Sequence, residues 1–523
     1  MKRKLRSQPV RSKYDDKKGN YIMTKTQALE LLFEKNRVAK ALDMASVLID
    51  WDAKTSGVPE KSLPARGESA GWIEGERFRR FIAPDTLEAV ETLEAVSEEL
   101  DVYERAMVRE TGREYRKLKA VPPDEYQEFM SLVTQSMTVW ETAREKQDYE
   151  MMLPYYEKVF DFQRRLCDWY GYDKHPYDAL LDDYDRGTTV EMLDVFFSAL
   201  REQIVPLLRG IVNQGKQPKE ISGAFDIKRQ RELMPWLADI AGFDRDRGKV
   251  GEVEHPFCTT ITRNDVRITT KYHEDNLLSS IYSIIHESGH AIYEQNMSED
   301  MERYSLADCP SMGMHESQSR LYENMICRSR AFAGQLLPKL RGQFDYFAAW
   351  DEEMLYRAIN IARPSLIRIE ADELTYSLHI MVRYELEKAL VKGDIRAAGL
   401  PELWADKYEE FLGIRPDNLA DGVLQDVHWS GGSVGYFPSY AVGSAYGAQI
   451  MHTIKKTVDI DAVIRNGNLS PVTEWLKENI HRHGKIMSPD ELLKQATGEP
   501  FNPEYYVNYL SEKFTGLYFQ TKG

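Results

Sequence analysis

Apolar residues recur at near-helical spacing along most of the chain. The first such segment begins after Thr24-x-x-Gln27, a pattern typical of a helix capping box, and contains Leu29, Leu32, Phe33, Val38 and Leu42. Four further segments have the same period and largely helix-forming composition: 85–100, 156–170, 190–212 and 374–391. We therefore predict a mainly α-helical protein.

A strand signal occurs at one place. Residues 258–262 and 266–270 are rich in β-branched side chains, and the turn-forming residues Arg263, Asn264 and Asp265 lie between them. This pattern predicts a small β-hairpin, which ends shortly before another apolar helical segment at Leu277. The glycine-rich segment 431–447 carries several aromatic residues, and we interpret it as a loop.

The chain shows no internal repeat and no long linker, which indicates one large helical domain over residues 23–523. Residues 1–22 are basic but lack the apolar stretch of a secretory signal, and we interpret them as a disordered extension. No run of apolar residues approaches the roughly 20 needed to span a bilayer, so we expect no membrane insertion.

The net charge excludes some classes of binding partner, and the cysteine pattern indicates the cellular compartment. The net charge of −16 argues against non-specific binding to nucleic acid or anionic membranes. The four cysteines are scattered and form no C-x-x-C pair, as expected for free thiols in a reducing compartment. We therefore expect a cytoplasmic protein.

The segment 284–290, Ile-Ile-His-Glu-Ser-Gly-His, contains an H-E-x-x-H motif within an apolar helical pattern. Residues four apart lie on one face of a helix, so His286 and His290 can bind the same metal ion. Glu287 then lies where a carboxylate can take a proton from the attacking water. The motif predicts metal-dependent hydrolysis of peptide bonds.

A catalytic zinc ion needs a third protein ligand and an open position. The candidates downstream are Glu294, Glu299, His315, Glu316 and Glu323. We choose Glu316, because its separation from His290 leaves room for a loop and a returning helix. Glu294 lies one turn past His290 and reaches the ion poorly, and we interpret Glu323 as a solvated carboxylate. Two imidazoles and one carboxylate suit Zn²⁺, with Co²⁺ or Mn²⁺ as possible substitutes.

Six motifs occur in order along the chain: His255-Pro-Phe257, Asp265-Val-Arg-Ile-Thr269, His286 to His290, His315-Glu-Ser317, Ile367-Arg-Ile-Glu-Ala-Asp-Glu373 and Gly422-Val-Leu-Gln-Asp-Val-His-Trp429. With these motifs, the chain from about Met23 onwards resembles the family of Taq-like zinc metallocarboxypeptidases. The resemblance implies a helical peptidase domain with a central substrate groove and a homodimeric assembly. It also implies that the substrates are peptides with a free C-terminus.

A carboxypeptidase must bind a free carboxylate, and the planar guanidinium of arginine suits that task. The resemblance implies Arg368 for this role, and Arg267 in the hairpin is the second candidate. The alternative for either arginine is a structural ion pair, with Glu370, Asp372 or Asp265. His255 either contacts the substrate backbone or holds the hairpin in place, and we favour the second interpretation.

The tetrahedral intermediate needs a hydrogen-bond donor opposite the metal. His428 and a tyrosine of the segment 435–440 suit this task, and the sequence does not distinguish Tyr436 from Tyr440. Two alternatives to a carboxypeptidase stay open at this point. One is a helical zinc endo-oligopeptidase or dipeptidyl peptidase, and the other is a catalytically silent scaffold, against which the complete set of ligands and base argues.

Overall fold

The computed structural model describes residues 23–519. The predicted extension at residues 1–22 lies outside this range, and the division into an extension and one domain stays a prediction. The described residues form twenty α-helices and three strands, which confirms the mainly α-helical class. The elements in chain order are α1 Lys25–Thr55, α2 Leu63–Phe81, α3 Pro84–Glu94, α4 Val102–Ala120, α5 Pro123–Lys146, α6 Leu153–Tyr170, α7 Pro176–Tyr184, α8 Val190–Gln214, α9 Ile227–Ala241, β1 Gly248–Glu252, β2 Cys258–Thr262, β3 Asp265–Thr270, α10 Leu277–Gln295, α11 Met312–Arg320, α12 Arg330–Gln343, α13 Glu352–Ala358, α14 Tyr376–Lys392, α15 Leu400–Leu412, α16 Pro438–Ile454, α17 Ile460–Arg465, α18 Ser470–Asn479, α19 Pro489–Thr497 and α20 Glu504–Tyr518.

The first helix begins as its sequence predicts. The Thr24 side chain accepts a hydrogen bond from the Gln27 amide, and the Gln27 side chain accepts one from the Thr24 amide. The periodic segments 156–170, 190–212 and 374–391 correspond to α6, α8 and α14. The segment 85–100 is helical only to Glu94 and ends in a short 3₁₀ turn.

The predicted hairpin is confirmed, and it is part of a three-stranded sheet. Strand β3 is central and pairs with β2 in antiparallel and with β1 in parallel orientation. The sequence of β1, Gly-Lys-Val-Gly-Glu, has a single β-branched residue, which is why its pattern did not predict a strand. Val266 and Ile268 of β3 are fully buried, and β3 packs against α10.

Two hydrophobic clusters stabilise the fold. The larger one contains buried residues from Ala106 to Tyr518, including most of one side of α10. The smaller one joins α1, α3 and α4 near the start of the described chain. Within residues 23–519, no helix combines the length and apolar character required to cross a bilayer.

The loop prediction for residues 431–447 is wrong in its second half. Turns continue to Phe437, but α16 begins at Pro438 and includes Gly443 and Gly447. Both glycines face α11 at short range: a Cβ atom on Gly443 would lie 2.6 Å from Glu316 Cβ, and one on Gly447 would lie 3.1 Å from the Ser317 carbonyl. Close packing between the two helices thus compensates for the low helix propensity of glycine.

Candidate active site

Three side chains with metal-ligating atoms meet between α10 and α11. His286 and His290 extend from the same face of α10, and their ring centroids lie 5.0 Å apart. Glu316 comes from α11, and its Oε2 lies 3.3 Å from His290 Nε2 and 3.7 Å from His286 Nε2. The ligand atoms of the three residues all lie within 4.8 Å of one another.

Glycines let α11 approach closely enough to bring Glu316 to the histidines. Gly289, inside the H-E-x-x-H motif, faces α11 so closely that a Cβ there would lie 2.7 Å from Ser319 Cα. On the opposite side of α11, Gly443 faces the Glu316 side chain. Buried Asp185 connects the first turns of α11 and α16, because it accepts hydrogen bonds from the Gly313 amide of α11 and the Ser439 hydroxyl of α16.

The geometry of the three groups and the protonation states of His290 and Glu316 fit a divalent metal ion. A tetrahedral ion with bonds of about 2.0–2.1 Å holds its ligand atoms about 3.3 Å apart, close to the distances of 3.3 and 3.7 Å from Glu316 Oε2 to the two imidazole nitrogens. Although burial opposes it, the carboxylates of Glu316 and Glu323 raise the pKa of His286, so a metal ion would bind this imidazole in place of a proton. Burial and the charge of His315 lower the pKa of His290 to about 3, so its imidazole is neutral at pH 7. Burial opposes ionisation of Glu316, but Arg320 and the two imidazoles hold its pKa well below the usual range.

Glu287 is the glutamate of the H-E-x-x-H motif, and its side chain is buried next to His286. Burial, with a contribution from the nearby carboxylates of Glu316 and Glu323, raises its pKa to about 7. A carboxylate with a pKa near the working pH is suited to accept and return a proton.

The interpretation of Glu323 as a solvated carboxylate is wrong. The chain continues from α11 into a π-helical turn, Leu321–Ile326, in which Glu323 is buried and contacts His286 Nδ1 at 2.9 Å. Its spacing from Glu316 is seven residues, close to two helical turns, and this spacing could have shown that both carboxylates face the same way. Glu294 instead pairs with His315 Nε2 at 3.0 Å.

Arg368 is buried in a cluster of charges. Asp426 Oδ1 accepts from Arg368 Nε and lies 3.0 Å from Arg368 Nη2, and the other oxygen, Oδ2, accepts from Arg383 at 2.7 Å. The partner of Arg368 is therefore Asp426 and neither Glu370 nor Asp372. Asp426 belongs to the motif 422–429, but its pairing with Arg368 and with Arg383 was not predicted, because a contact between separate elements leaves no local pattern in the sequence.

The second arginine candidate and His255 lie on the sheet. Arg267, on β3, makes two hydrogen bonds of 2.7 and 2.8 Å to Asp265, which is the structural pair considered as its alternative. Its guanidinium also lies 5.3 Å from the centroid of the Trp51 ring. His255 is exposed in the segment that joins β1 to β2.

The three donor candidates form an aromatic group. The His428 ring lies 5.7 Å from the Tyr436 ring and 6.4 Å from the Tyr440 ring, and the two tyrosine rings are 5.1 Å apart. Burial lowers the pKa of His428 to about 4, so the imidazole is neutral at pH 7. Tyr376, which the sequence analysis did not single out, contacts this group and accepts a hydrogen bond from Arg368 Nη1 at 3.3 Å.

Tyr376 also links the aromatic group to the metal-ligating residues. Its ring packs against the Arg320 guanidinium, 4.2 Å from the centroid, and Arg320 Nε donates to Glu316 Oε1 at 2.6 Å. The predicted metal ligands, Arg368 and the oxyanion donor candidates are thus connected by direct contacts in one region, whereas Arg267 lies apart from them on the sheet.

Comparisons with known proteins identify the family. The carboxypeptidase Taq (M32) metallopeptidase family matches residues 32–514. Carboxypeptidase 1 of Bacillus subtilis is 40% identical over 481 residues, which is 91% of this chain and 95% of that protein. The solved structure of Pyrococcus furiosus carboxypeptidase is similar with a TM-score of 0.90 at 34% identity, covering 93% of this chain and 99% of that one. Trypanosoma cruzi metallocarboxypeptidase 1 has a TM-score of 0.88 at 35% identity, with the same two coverages. The chain therefore belongs to the carboxypeptidase Taq (M32) metallopeptidase family and is a hydrolase of peptide bonds.

Proposed function

We propose that the protein is a zinc carboxypeptidase whose metal ion is held by His286, His290 and Glu316. The observation that carries this proposal is the convergence of two imidazole nitrogens and one carboxylate oxygen at separations of 3.3 and 3.7 Å. Two nitrogens and one oxygen form a common ligand set of catalytic zinc, and Co²⁺ or Mn²⁺ could take its place.

Glu287 acts as general base and then as general acid. When bound, the metal ion supplies a Lewis acid that polarises the scissile carbonyl and makes water easier to deprotonate. Glu287 takes a proton from the attacking water and gives it to the leaving amine. Its buried position and its pKa of about 7 support both proton transfers near neutral pH.

Arg368 binds the C-terminal carboxylate of the substrate. Its cluster contains two guanidinium groups and one carboxylate, so a net positive charge is left to attract a second carboxylate. Asp426 holds the Arg368 guanidinium in a fixed orientation, which limits the entropy lost on binding. Arg267 lacks such a surplus, because Asp265 neutralises it, and we assign it and His255 to support of the sheet.

The developing oxyanion receives hydrogen bonds from His428 together with Tyr436 or Tyr440. All three rings belong to one aromatic group, which Tyr376 connects to Arg368 and to Arg320 beside Glu316. Donors held in a half-buried, packed group need little reorganisation when charge develops on the substrate.

Two further properties complete the proposal. The resemblance to the family supports a homodimer, which analytical ultracentrifugation of the full chain would test. The four cysteines are all unpaired, as expected for a protein of the cytoplasm.

A single peptide in two forms tests the reaction. The zinc-loaded protein is incubated with a mixed-sequence peptide as the free acid and as the C-terminal amide, and the products are followed by mass spectrometry. We expect a ladder of one-residue losses from the free acid alone. Internal cleavage of both forms would favour an endo-oligopeptidase, and no cleavage of either would favour a silent scaffold.

Arg368→Met and Arg267→Met form a matched pair for the carboxylate contact. Loss of a buried charge contact costs about 2–5 kcal/mol, so we expect kcat/KM of Arg368→Met on the free acid to fall by about 10²-fold or more. Arg267→Met should retain activity within a few fold. The opposite ranking of two folded variants would reassign the contact to Arg267.

A further inference from the structure

The two ring nitrogens of His286 face different carboxylates, and only one of these belongs to the ligand group. Nε2 faces Glu316 Oε2, whereas Nδ1 lies 2.9 Å from Glu323 Oε2. A carboxylate can accept a hydrogen bond only from a nitrogen that carries a proton, so this contact favours the tautomer with hydrogen on Nδ1. The lone pair of Nε2 is then free to bind a metal ion.

Glu323 is held in place by two arginines. Arg328 donates to Glu323 Oε1 at 3.2 Å, and Arg320 donates to Glu323 Oε2 at 3.3 Å. Arg320 also donates to Glu316 Oε1 at 2.6 Å, so one guanidinium joins the two carboxylates. The two carboxylates and the two guanidinium groups carry equal and opposite charge, so the four side chains can be buried without a net charge.

The π-helical turn that carries Glu323 is fixed from its outer side. The Asn324 carbonyl accepts hydrogen bonds from Tyr509 at 3.1 Å and from Lys513 at 3.3 Å, both on α20. Lys513 and Glu373 form a buried ion pair at the same place. Turns of this kind are frequent at functional sites, and here the turn faces the ligand-bearing helix α10.

His290 lacks an equivalent support. Its Nδ1 is buried and has no hydrogen-bond partner among the described residues, and its ring is instead stacked on His315 at 4.3 Å. Orientation of the two imidazoles therefore has different origins: a charged hydrogen bond for His286, and ring packing for His290. Loss of the Glu323 carboxylate should act on His286 in particular.

We propose that Glu323 is a positioning residue of the metal site, which orients His286 through Nδ1 and is joined by Arg320 to the third ligand, Glu316. Partners of metal ligands typically change metal affinity by about 10–100-fold when they are removed. This inference rests on the metal site proposed above and assigns to it a residue outside the three grouped ligands.

The test measures metal affinity of the full-length protein by competition with a chromophoric zinc chelator. We expect Glu323→Leu to raise the zinc Kd by up to about 100-fold and Glu323→Gln by about tenfold, because the amide oxygen can still accept from Nδ1. The control is Glu387→Gln, which alters a buried carboxylate that is hydrogen-bonded to Trp429 and Gly435 and to none of the metal-ligating residues. Its zinc Kd should stay within about threefold of the original.

Spectra of the cobalt-loaded protein distinguish two effects of Glu323: orientation of the His286 ring and the negative charge of the carboxylate. We expect the visible absorption of Co²⁺ to change in both Glu323 variants, because ligand geometry determines that spectrum. An unchanged spectrum with weaker binding would assign the effect to lost charge and overturn the positioning role. If Glu323→Leu does not fold, Glu323→Gln decides alone: unchanged affinity and spectrum would also overturn the role.

The variant His286→Ala distinguishes this inference from the metal site itself. If the unmodified protein binds no zinc, or if His286→Ala binds it as tightly, the metal site fails and the positioning role fails with it. If His286→Ala loses zinc while both Glu323 variants bind it normally, only the positioning role is overturned. Loss of zinc in His286→Ala together with weaker zinc binding in both Glu323 variants supports both.

Discussion

At the scale of single residues, Glu287 combines a buried carboxylate with a position next to a metal-ligating histidine. Burial raises its pKa to about 7, and a divalent cation nearby would lower that value again by charge attraction. With the cation bound, the carboxylate would therefore be ionised at neutral pH and still be basic enough to receive a proton.

Glu287→Gln tests the proton transfers separately from metal binding. The amide keeps the shape of the side chain but cannot accept the proton, so we expect kcat to fall by about 10²–10⁴-fold. Zinc content, measured by atomic absorption, should be unchanged, because Glu287 is not among the three grouped ligands. Near-normal turnover of a zinc-loaded variant would remove Glu287 from the mechanism.

At the scale of elements, the close approach of α11 to α10 and α16 decides where the third ligand lies. Glycine on both neighbouring helices permits the short distance, at Gly289 on one side and Gly443 on the other. The main chain of α11 cannot move away from an added methyl group without disturbing its packing on the other side, because it is packed on two sides.

Gly443→Ala should therefore displace Glu316. A Cβ at this position would lie 2.6 Å from Glu316 Cβ and 2.9 Å from the Gly313 carbonyl, so a shift of α11 is required. We expect a loss of stability of about 1–3 kcal/mol and zinc binding weakened about tenfold or more. Thermal unfolding and chelator competition measure the two effects.

Gly71→Ala is the matched control for that substitution. Gly71 lies inside α2, and a Cβ there would meet no atom of residues 23–519 within 4 Å. Alanine has the higher helix propensity, so this variant should be as stable as the original or slightly more stable, with unchanged zinc binding. Equal zinc affinity in both alanine variants would contradict the proposed function of the close packing.

At the scale of the whole molecule, buried Glu387 ties together three distant parts of the chain. It extends from α14 and accepts hydrogen bonds from Tyr177 on α7, from Trp429 at 2.6 Å and from the Gly435 amide at 3.0 Å. Burial raises the pKa of Glu387 to about 7 from a usual value of 4.5. The folded state thus holds this proton more tightly than the unfolded state does.

The contribution of Glu387 to stability should consequently fall as the pH rises through the window from 4.5 to 7. The contribution of the protonated Glu387 is fully present below 4.5 and is lost by about pH 7, which amounts to about 3 kcal/mol at 1.36 kcal/mol per pKa unit. For a chain of this size, that corresponds to about 3 °C in Tm.

Glu387→Gln isolates this effect, because subtraction of its Tm from the original Tm cancels the other titrating groups. The difference should decrease by about 3 °C between pH 4.5 and pH 7 and stay constant above pH 7. A difference that does not vary with pH would show that Glu387 titrates at its ordinary pKa in the folded protein.

The sequence by itself determined the features that depend on neighbours in the chain. Helical periodicity predicted the mainly α-helical class, and residues 258–270 predicted the hairpin, because both patterns repeat within a few residues. The H-E-x-x-H motif placed His286 and His290 on one face of a helix for the same reason. The order of the six motifs was sufficient to indicate the family.

Only the tertiary structure decided which distant residues meet. It brought Glu316 to the histidines, turned Glu323 inward through a π-helical turn, and paired Arg368 with Asp426. It also made a helix of residues 438–447, where glycines alone predicted a loop, because packing against α11 outweighs helix propensity. Such contacts depend on how whole helices pack, and no local pattern of residues records that packing.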